Sequence, residues 1–132
     1  MFLKIDAHNG LAVYDQIVRQ VKFAIADDAL RPGEIVPSVR ELARELAINP
    51  NTVARAYRQL QDDGVLDAVR GTGLAVAQAA RRQCQVERTK LIRLRLRNVL
   101  REAAQSGLDA NEIQQIMCAE LVAARRNKDK QA

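Results

Sequence analysis

Two helix signals in quick succession constrain the fold of this chain more than any other feature of its sequence. The first begins at Ser38, which forms with Glu41 the S-x-x-E pattern of a capping box. Apolar residues then recur at the three- and four-residue spacing of a helix as far as Leu46. Residues 47–49 leave room only for a tight turn before the next signal. The sequence therefore predicts a short helix that ends in a three-residue turn.

The second signal predicts a helix that starts directly after this turn. Asn49 is a favourable N-cap, and Pro50 suits the first helical position, where its missing N–H group costs nothing. Gly64 ends the pattern, since glycine readily adopts the left-handed conformation that follows helix C-termini. The apolar residues of this segment share one helix face: Val53, Ala56, Tyr57 and Leu60.

An amphipathic helix is predicted before this pair, over residues 14–27. Its polar face holds Asp15, Arg19 and Lys22, and we expect these three side chains to point away from the core. The apolar face consists of Tyr14, Ile17, Val18, Val21, Ala24 and Ile25.

A β-hairpin is predicted after the pair. Residues 65–69 and 74–76 have the pattern of two short strands, joined by a tight turn through Gly71 and Gly73. Helix, short helix, turn, helix and hairpin, in this order, make up a winged helix-turn-helix.

Two further helices are predicted in the rest of the chain. Residues 81–105 lack helix breakers and predict one long helix, which a turn at Ser106 and Gly107 ends. Asp109 with Glu112 forms a second capping pattern, which opens a last helix. We expect residues 125–132 to fray. Two such helices cannot enclose a core alone, so their apolar stripes predict pairing with a second copy of the chain. The predicted dimerisation residues are Ile92, Leu96, Val99, Leu100, Ala103, Ile113, Ile116, Met117 and Leu121.

Composition favours a nucleic-acid partner over an enzymatic role. The 132 residues carry a formal net charge of +5, which suits a polyanion. One histidine and two distant cysteines match no catalytic or metal-binding arrangement, so we expect neither enzymatic activity nor a cofactor. No segment approaches the roughly 18 consecutive apolar residues of a transmembrane helix. We expect a cytoplasmic protein with no membrane partner.

The helix that follows the turn is predicted to enter the major groove of DNA. In a helix-turn-helix the exposed N-terminal residues of that helix reach base edges. Asparagine pairs with adenine, arginine with guanine, and threonine suits thymine or phosphate. The glycine turn of the hairpin lets backbone N–H groups approach a phosphate or the minor groove, although Arg70 there is equally compatible with a merely solvated hairpin. The predicted DNA-binding residues are Ser38, Arg40, Asn49, Asn51, Thr52, Arg55, Arg58, Arg70, Gly71, Thr72 and Gly73.

The sequence resembles the DNA-binding head of the GntR family. The resemblance is carried by the runs Val36-Pro37-Ser38-Val39-Arg40-Glu41-Leu42-Ala43, Asn49-Pro50-Asn51-Thr52-Val53-Ala54-Arg55-Ala56-Tyr57 and Gly64-Val65-Leu66. It implies DNA contact by Arg40, by residues 49–52 and by Arg70 and Gly71. Ala54 stands where some relatives have arginine, so their base preference does not transfer. The short helical tail is similar to that of the YtrA-like subfamily, whose members are dimeric regulators.

Two other functions remain open from the residues alone. A winged helix can also serve as a protein-interaction module. Residues 81–132 carry 12 Lys or Arg against 6 Asp or Glu, whereas residues 1–80 carry 9 against 10, so the positive excess lies in the tail. The stripe Arg93, Arg97 and Arg101 would suit a nonspecific nucleic-acid binder, although such stripes are more often solvated faces.

The sequence as a whole predicts an α+β, mainly α protein. A winged helix-turn-helix domain is expected over residues 1–78 and a two-helix dimerisation tail over residues 79–132. The expected function is that of a sequence-specific transcription repressor that binds palindromic operator DNA as a homodimer. A small-molecule effector stays unknown, since so short a tail offers little room for a ligand cavity.

Overall fold

The computed structural model describes residues 3–131, with side chains described as far as Asp129. Within that range it contains five helices and one antiparallel pair of strands. The elements are α1 (Val13–Ala26), α2 (Val39–Leu46), α3 (Pro50–Asp62), β1 (Leu66–Val69), β2 (Gly73–Val76), α4 (Ala80–Gln105) and α5 (Ala110–Gln131). The predicted fold class, a helix-turn-helix and hairpin followed by two helices, is confirmed.

Side-chain caps start α2 and α3 where the sequence predicts them. The Oγ of Ser38 accepts a hydrogen bond from the backbone N–H of Glu41 at 3.1 Å. The Oδ1 of Asn49 accepts one from the backbone N–H of Asn51 at 2.8 Å. Between the two helices Ala47 adopts a left-handed conformation with φ 54°, which ends α2 and starts the short turn. These local contacts determine where the third helix begins.

The wing consists of β1 and β2, with Leu66 paired to Val76 at the open end. A short extended piece before α2 joins its other edge, where Ile35 forms an isolated bridge with Ala75. The backbone N–H of Val76 donates to the carbonyl of Glu34 at 2.9 Å. The wing is thereby tied to the segment that leads into α2.

The core of the head lies between α1, α2, α3 and the base of the wing. Its fully buried apolar side chains include Ile17, Val21, Ile25, Leu42, Val53, Leu60 and Val65. The hydroxyl of Tyr57 donates to the backbone carbonyl of Pro37 at 2.7 Å and so ties α3 to the residue before the α2 cap. Burial, followed by the nearby carboxylates of Glu45 and Glu41, raises the pKa of Tyr57.

The beginning of α4 belongs to the head. Ala80 and Cys84 are completely buried in its core, and burial raises the pKa of the Cys84 thiol to about 11. The side-chain amide of Gln83 donates to the carbonyl of Asp63 at 2.6 Å. The compact units of the chain accordingly divide after Lys90. This differs from the expected boundary at residues 78 and 79, because the apolar residues of this first part of α4 complete the core.

Lys22 is buried, although it was predicted to lie on the polar face of α1. Its side chain is only 3% exposed, and its Nζ lies 2.7 Å from a carboxylate oxygen of Asp63 and 2.7 Å from one of Glu87. Burial lowers the pKa of Lys22, but the hydrogen bonds and charges of the two carboxylates raise it more, so the net shift is upward. The prediction of a solvent-facing lysine is wrong because α4 supplies a partner from far along the chain.

The second unit begins at Leu91 and includes the rest of α4 and α5. The predicted capping pattern is confirmed at the start of α5, where the N–H of Glu112 donates to Oδ1 of Asp109 at 2.8 Å. The helix continues to Gln131, so residues 125–131 are helical where fraying was expected. They are mostly good helix formers without a breaker. Along residues 3–131, no helix has both the length and the apolar character needed to cross a bilayer.

Candidate nucleic-acid interface

The outer face of α3 carries the side chains that the sequence predicts to read DNA. Asn51, Arg55 and Arg58 are exposed and Thr52 is partly exposed. The opposite face is anchored, because Val53, Ala56, Tyr57 and Leu60 are buried in the head. The helical period therefore places the predicted reading residues on one accessible face.

The side chain of Asn49 also serves as the cap of α3. Its Oδ1 already accepts the N–H of Asn51, while the residue itself is exposed. The amide nitrogen of its side chain is the donor left for a ligand at this end of the helix.

The beginning of α2 presents Ser38 and Arg40, both exposed. The hydroxyl of Ser38 donates to Oε1 of Glu41 at 3.2 Å, so the reciprocal contact of this cap runs between side chains. The hydroxyl of Ser38 is thus engaged in capping α2. Arg40 is the positively charged side chain at this end of α2 that is exposed to a ligand.

The tip of the wing is an exposed turn from Val69 to Gly73 in which two glycines have positive φ angles. Gly71 has φ 77° and Gly73 has φ 126°, conformations that other residues rarely adopt. The N–H of Thr72 donates to the carbonyl of Val69 at 3.0 Å and closes the turn. Arg70 is exposed beside it.

Two open cavities show which predicted residues lie together. A groove of about 900 Å³ is lined by Ser38, Thr72 and Gly73, so the start of α2 and the wing tip border one space. A shallower concavity of about 370 Å³ is lined by Val13, Tyr14, Asn51, Thr52 and Arg55. Arg40, Asn49, Arg58, Arg70 and Gly71 line neither of the two.

Carboxylates also border the larger groove. Glu34 and Glu41 line it together with the apolar side chains of Ile35, Val36 and Leu74. A phosphate inside the groove would meet these two negative charges, so an anionic ligand is disfavoured there.

Tyr14 is the residue that the sequence analysis missed at this surface. The Cζ of Arg55 lies 3.7 Å from the centroid of the Tyr14 ring, which is a cation–π contact. The sequence analysis assigned Tyr14 to the apolar face of α1, and the ring is indeed partly buried against the head core. Its position at the very start of α1, where a helix face meets the surface, was the available signal.

The arginines of this surface are not neutralised by the rest of the chain. Across residues 3–131, Arg40, Arg55, Arg58 and Arg70 form no ion pair. By contrast, Arg19 pairs with Asp15, and both Arg31 and Arg81 lie within ion-pair distance of Asp28. Because α3 has no acidic residue in its first turn, no carboxylate of that turn offsets the positive charge of the arginines.

The second unit presents its apolar residues to solvent. Between Leu91 and Asp129 none of the described side chains is buried. Of the predicted dimerisation residues, Leu100, Ala103 and Ile113 are partly exposed, whereas Ile92, Leu96, Val99, Ile116, Met117 and Leu121 are exposed. Leu94 and Val122, which the sequence analysis did not select, are also exposed and apolar.

Known proteins resemble the chain over both units. The profile of the bacterial regulatory proteins of the gntR family matches residues 13–76. The HTH-type transcriptional repressor YtrA of Bacillus subtilis is 30% identical over 111 residues, which cover 84% of this chain and 85% of that repressor.

Solved structures agree with this similarity. A GntR family transcriptional regulator from Listeria monocytogenes superposes with a TM-score of 0.67 at 27% identity, covering 87% of this chain and 98% of that one. YtrA from Sulfolobus acidocaldarius, a GntR-family transcription factor, gives a TM-score of 0.56 at 28% identity, covering 93% and 99%. The likeness includes the helices that follow the wing as well as the head.

Proposed function

This chain belongs to the gntR family of bacterial regulatory proteins, and on that premise we propose that it is a transcription repressor that binds palindromic operator DNA as a homodimer. The observation that carries the proposal is the accessible face of α3, which combines Asn51, Thr52, Arg55 and Arg58 with no acidic residue in the first turn. A helix of this kind fits the major groove, which it would enter from its N-terminal end. Such a protein acts in the cytoplasm, where the bacterial chromosome lies.

Base readout is assigned to three side chains of α3. Asn51 can pair with an adenine through its side-chain amide oxygen and nitrogen, and Arg55 can pair with the O6 and N7 of a guanine. Thr52 can contact a thymine methyl group or a phosphate. Arg55 supports this role because its guanidinium has no ion-pair partner among residues 3–131.

Contacts to the DNA backbone are assigned to the residues around this face. Arg40 at the start of α2 and Arg58, further along the face of α3, supply charge. Asn49 supplies the amide nitrogen that its cap leaves free. Arg70, Gly71, Thr72 and Gly73 bring the wing to a phosphate or to the minor groove. Ser38 contributes by capping the start of α2, where Arg40 lies, since its hydroxyl already donates to Glu41.

Dimerisation is assigned to the second unit. Exposed apolar residues on both of its helices need a covering surface, and the same surface of a second copy supplies one under two-fold symmetry. Two heads then reach two half-sites about one turn of DNA apart, roughly 34 Å.

Selection of bound fragments from a genomic library is expected to return an inverted repeat. Affinity for that repeat should fall at least tenfold between about 50 and 200 mM salt, because bound Lys and Arg release counterions from the phosphates. Electrophoretic mobility shifts across a salt series measure this slope. Affinity that stays constant with salt, or fragments without a shared repeat, would contradict operator binding and favour a protein-interaction module.

Substitution of Arg55 and substitution of Arg70 are expected to change DNA binding in different ways. Arg55→Ala should weaken binding to the selected repeat by roughly 1–3 kcal/mol and relax the preference at one base pair of each half-site. Arg70→Ala should weaken binding to selected and scrambled DNA by the same factor, since a phosphate contact does not depend on sequence. Binding titrations on both DNAs separate the two effects.

The matched control for these variants is Arg93→Ala, which removes the same charge from the exposed stripe of α4. Its affinity for both DNAs should stay close to that of the unaltered protein. A loss at Arg93 equal to the loss at Arg70 would instead support a nonspecific binder that acts through the tail.

A further inference from the structure

The contact between Tyr14 and Arg55 joins a firmly held ring to a long and intrinsically mobile side chain. Tyr14 lies in the first turn of α1, and the helix is anchored next to it by Gln16 and Ile17, both buried. The amide nitrogen of Gln16 donates to the backbone carbonyls of Asp6 at 2.7 Å and Leu11 at 3.0 Å. The ring is therefore part of the rigid head rather than of a loop.

Stacking on this ring removes freedom from Arg55 without using its hydrogen-bonding groups. A guanidinium is planar, and its five N–H groups point outward in its own plane. The cation–π contact places Cζ 3.7 Å from the ring centroid, and it engages the charge of the guanidinium with the ring rather than with a hydrogen-bond acceptor. Within the described residues 3–131, no hydrogen bond to another side chain or to the backbone engages these N–H groups.

The ring and the guanidinium also border the same concavity as the neighbouring reading residues. Asn51 and Thr52 line it together with Tyr14 and Arg55. The amide, the hydroxyl and the guanidinium therefore open on one space of about 370 Å³ at the N-terminal end of α3. A base edge presented there would meet the donors of all three side chains, of which the Arg55 guanidinium is held by the ring.

We propose that Tyr14 is a positioning residue for operator recognition, which holds Arg55 against its ring so that the guanidinium edge meets a guanine in the major groove. The proposal rests on the proposed function, since it concerns how the same surface reads DNA. Arg55 would otherwise lose its rotational freedom on binding, and a side chain ordered beforehand avoids that entropic cost. The hydroxyl of Tyr14 has no part in this role, because the ring face alone provides the contact.

A double-mutant cycle on the full chain tests the proposal. Tyr14→Leu should weaken binding to the selected repeat by about fivefold to thirtyfold, as expected for loss of a cation–π contact in each half-site. It should also relax the preference at the base pair that Arg55→Ala relaxes. In the Arg55→Ala background, Tyr14→Leu should have no further effect. Fluorescence anisotropy with the selected repeat, its single-base variants and scrambled DNA measures each step.

Tyr14→Phe is the conservative variant that separates positioning from packing. It keeps the ring and should keep both affinity and base preference within about twofold. Melting temperatures accompany each variant, because Tyr14 also contacts the core. If Tyr14→Leu melts several degrees lower, Tyr14→Met, which keeps a long apolar side chain, replaces it in the cycle.

Two outcomes overturn the proposal while leaving operator binding intact. One is an equal loss for Tyr14→Leu with and without Arg55, which would show that the ring acts through the core. The other is an unchanged base preference in Tyr14→Leu. If the unaltered protein selects no repeat at all, the proposed function fails first and the positioning role fails with it.

Discussion

A chain ending at Lys90 is expected to remain folded, to become monomeric and to bind the selected repeat a hundredfold to ten-thousandfold more weakly than the full chain. It should remain folded because the core residues of α4, Ala80 and Cys84, and the carboxylate of Glu87 are all retained. Two linked heads bind with the benefit of a high effective concentration, and separate heads lose it. Analytical ultracentrifugation and a binding titration measure both changes.

The physical reason for the monomeric state lies in the exposure of the second unit. Val99 is 58% exposed and Leu121 is 59% exposed, and no described side chain of this unit is buried. A helical surface of this kind gains stability only from a covering partner. Removal of residues 91–132 removes that surface and leaves the core of the head unchanged.

Point variants in the full chain provide a matched control for the truncation. Leu121→Glu places a charge on the predicted dimerisation stripe and should dissociate the dimer. Val122→Glu places the same charge about 100° further round the helix and should leave it intact. A chain ending at Gln78, which lacks Ala80 and Cys84, should melt at a lower temperature than one ending at Lys90. A dimeric chain ending at Lys90, or one with full affinity, would assign the tail another role.

Removal of both carboxylates around Lys22 should destabilise the head more than any other substitution considered for this cluster. Asp63→Asn combined with Glu87→Gln leaves a buried ammonium without a charged partner, and we expect a loss of about 3 kcal/mol in the free energy of unfolding. This loss is near the lower end of the roughly 3–5 kcal/mol that breaking a buried ion pair costs, because the two carboxylate side chains are partly exposed. Urea unfolding followed by circular dichroism measures it.

Lys22→Met is the informative counterpart, since it removes the charge and keeps the volume. It should cost less than about 1 kcal/mol, because the carboxylates of Asp63 and Glu87 can turn toward water. The control for lost negative charge is Asp62→Asn with Glu102→Gln, both at exposed positions. A larger loss for Lys22→Met than for the double variant would show that the ion pairs themselves stabilise the head.

The pH dependence of this cluster follows from the direction of the lysine shift. The pKa of Lys22 is raised in the folded chain, so protonated Lys22 is favoured by folding. Its contribution is therefore fully present below the ordinary lysine value of about 10.4 and is lost as pH rises through the raised pKa. Lys22 stays protonated between about pH 6 and 9, in the folded and in the unfolded chain. Urea unfolding at several pH values in this range should therefore give the same difference in free energy of unfolding between the unaltered protein and Lys22→Met.

The order of the elements could be predicted because it depends on contacts between near neighbours in the chain. Ser38 caps the N–H of Glu41, and Asn49 caps that of Asn51, within two or three residues. The reading face of α3 also followed from sequence, since the positions of Val53 and Leu60 in the core leave Asn51 and Arg55 outside. DNA contact by these residues remains a prediction.

The sequence by itself determined the fold class, the helix starts and the outward face of α3, because caps and helical periodicity act over a few residues. Only the tertiary structure decided that Lys22 is buried, that Tyr14 stacks on Arg55 and that the head continues to Lys90. Lys22 and Glu87 are 65 positions apart, and no local pattern connects them. Periodicity assigns a side chain to a helix face, but which element covers that face depends on how the whole chain packs.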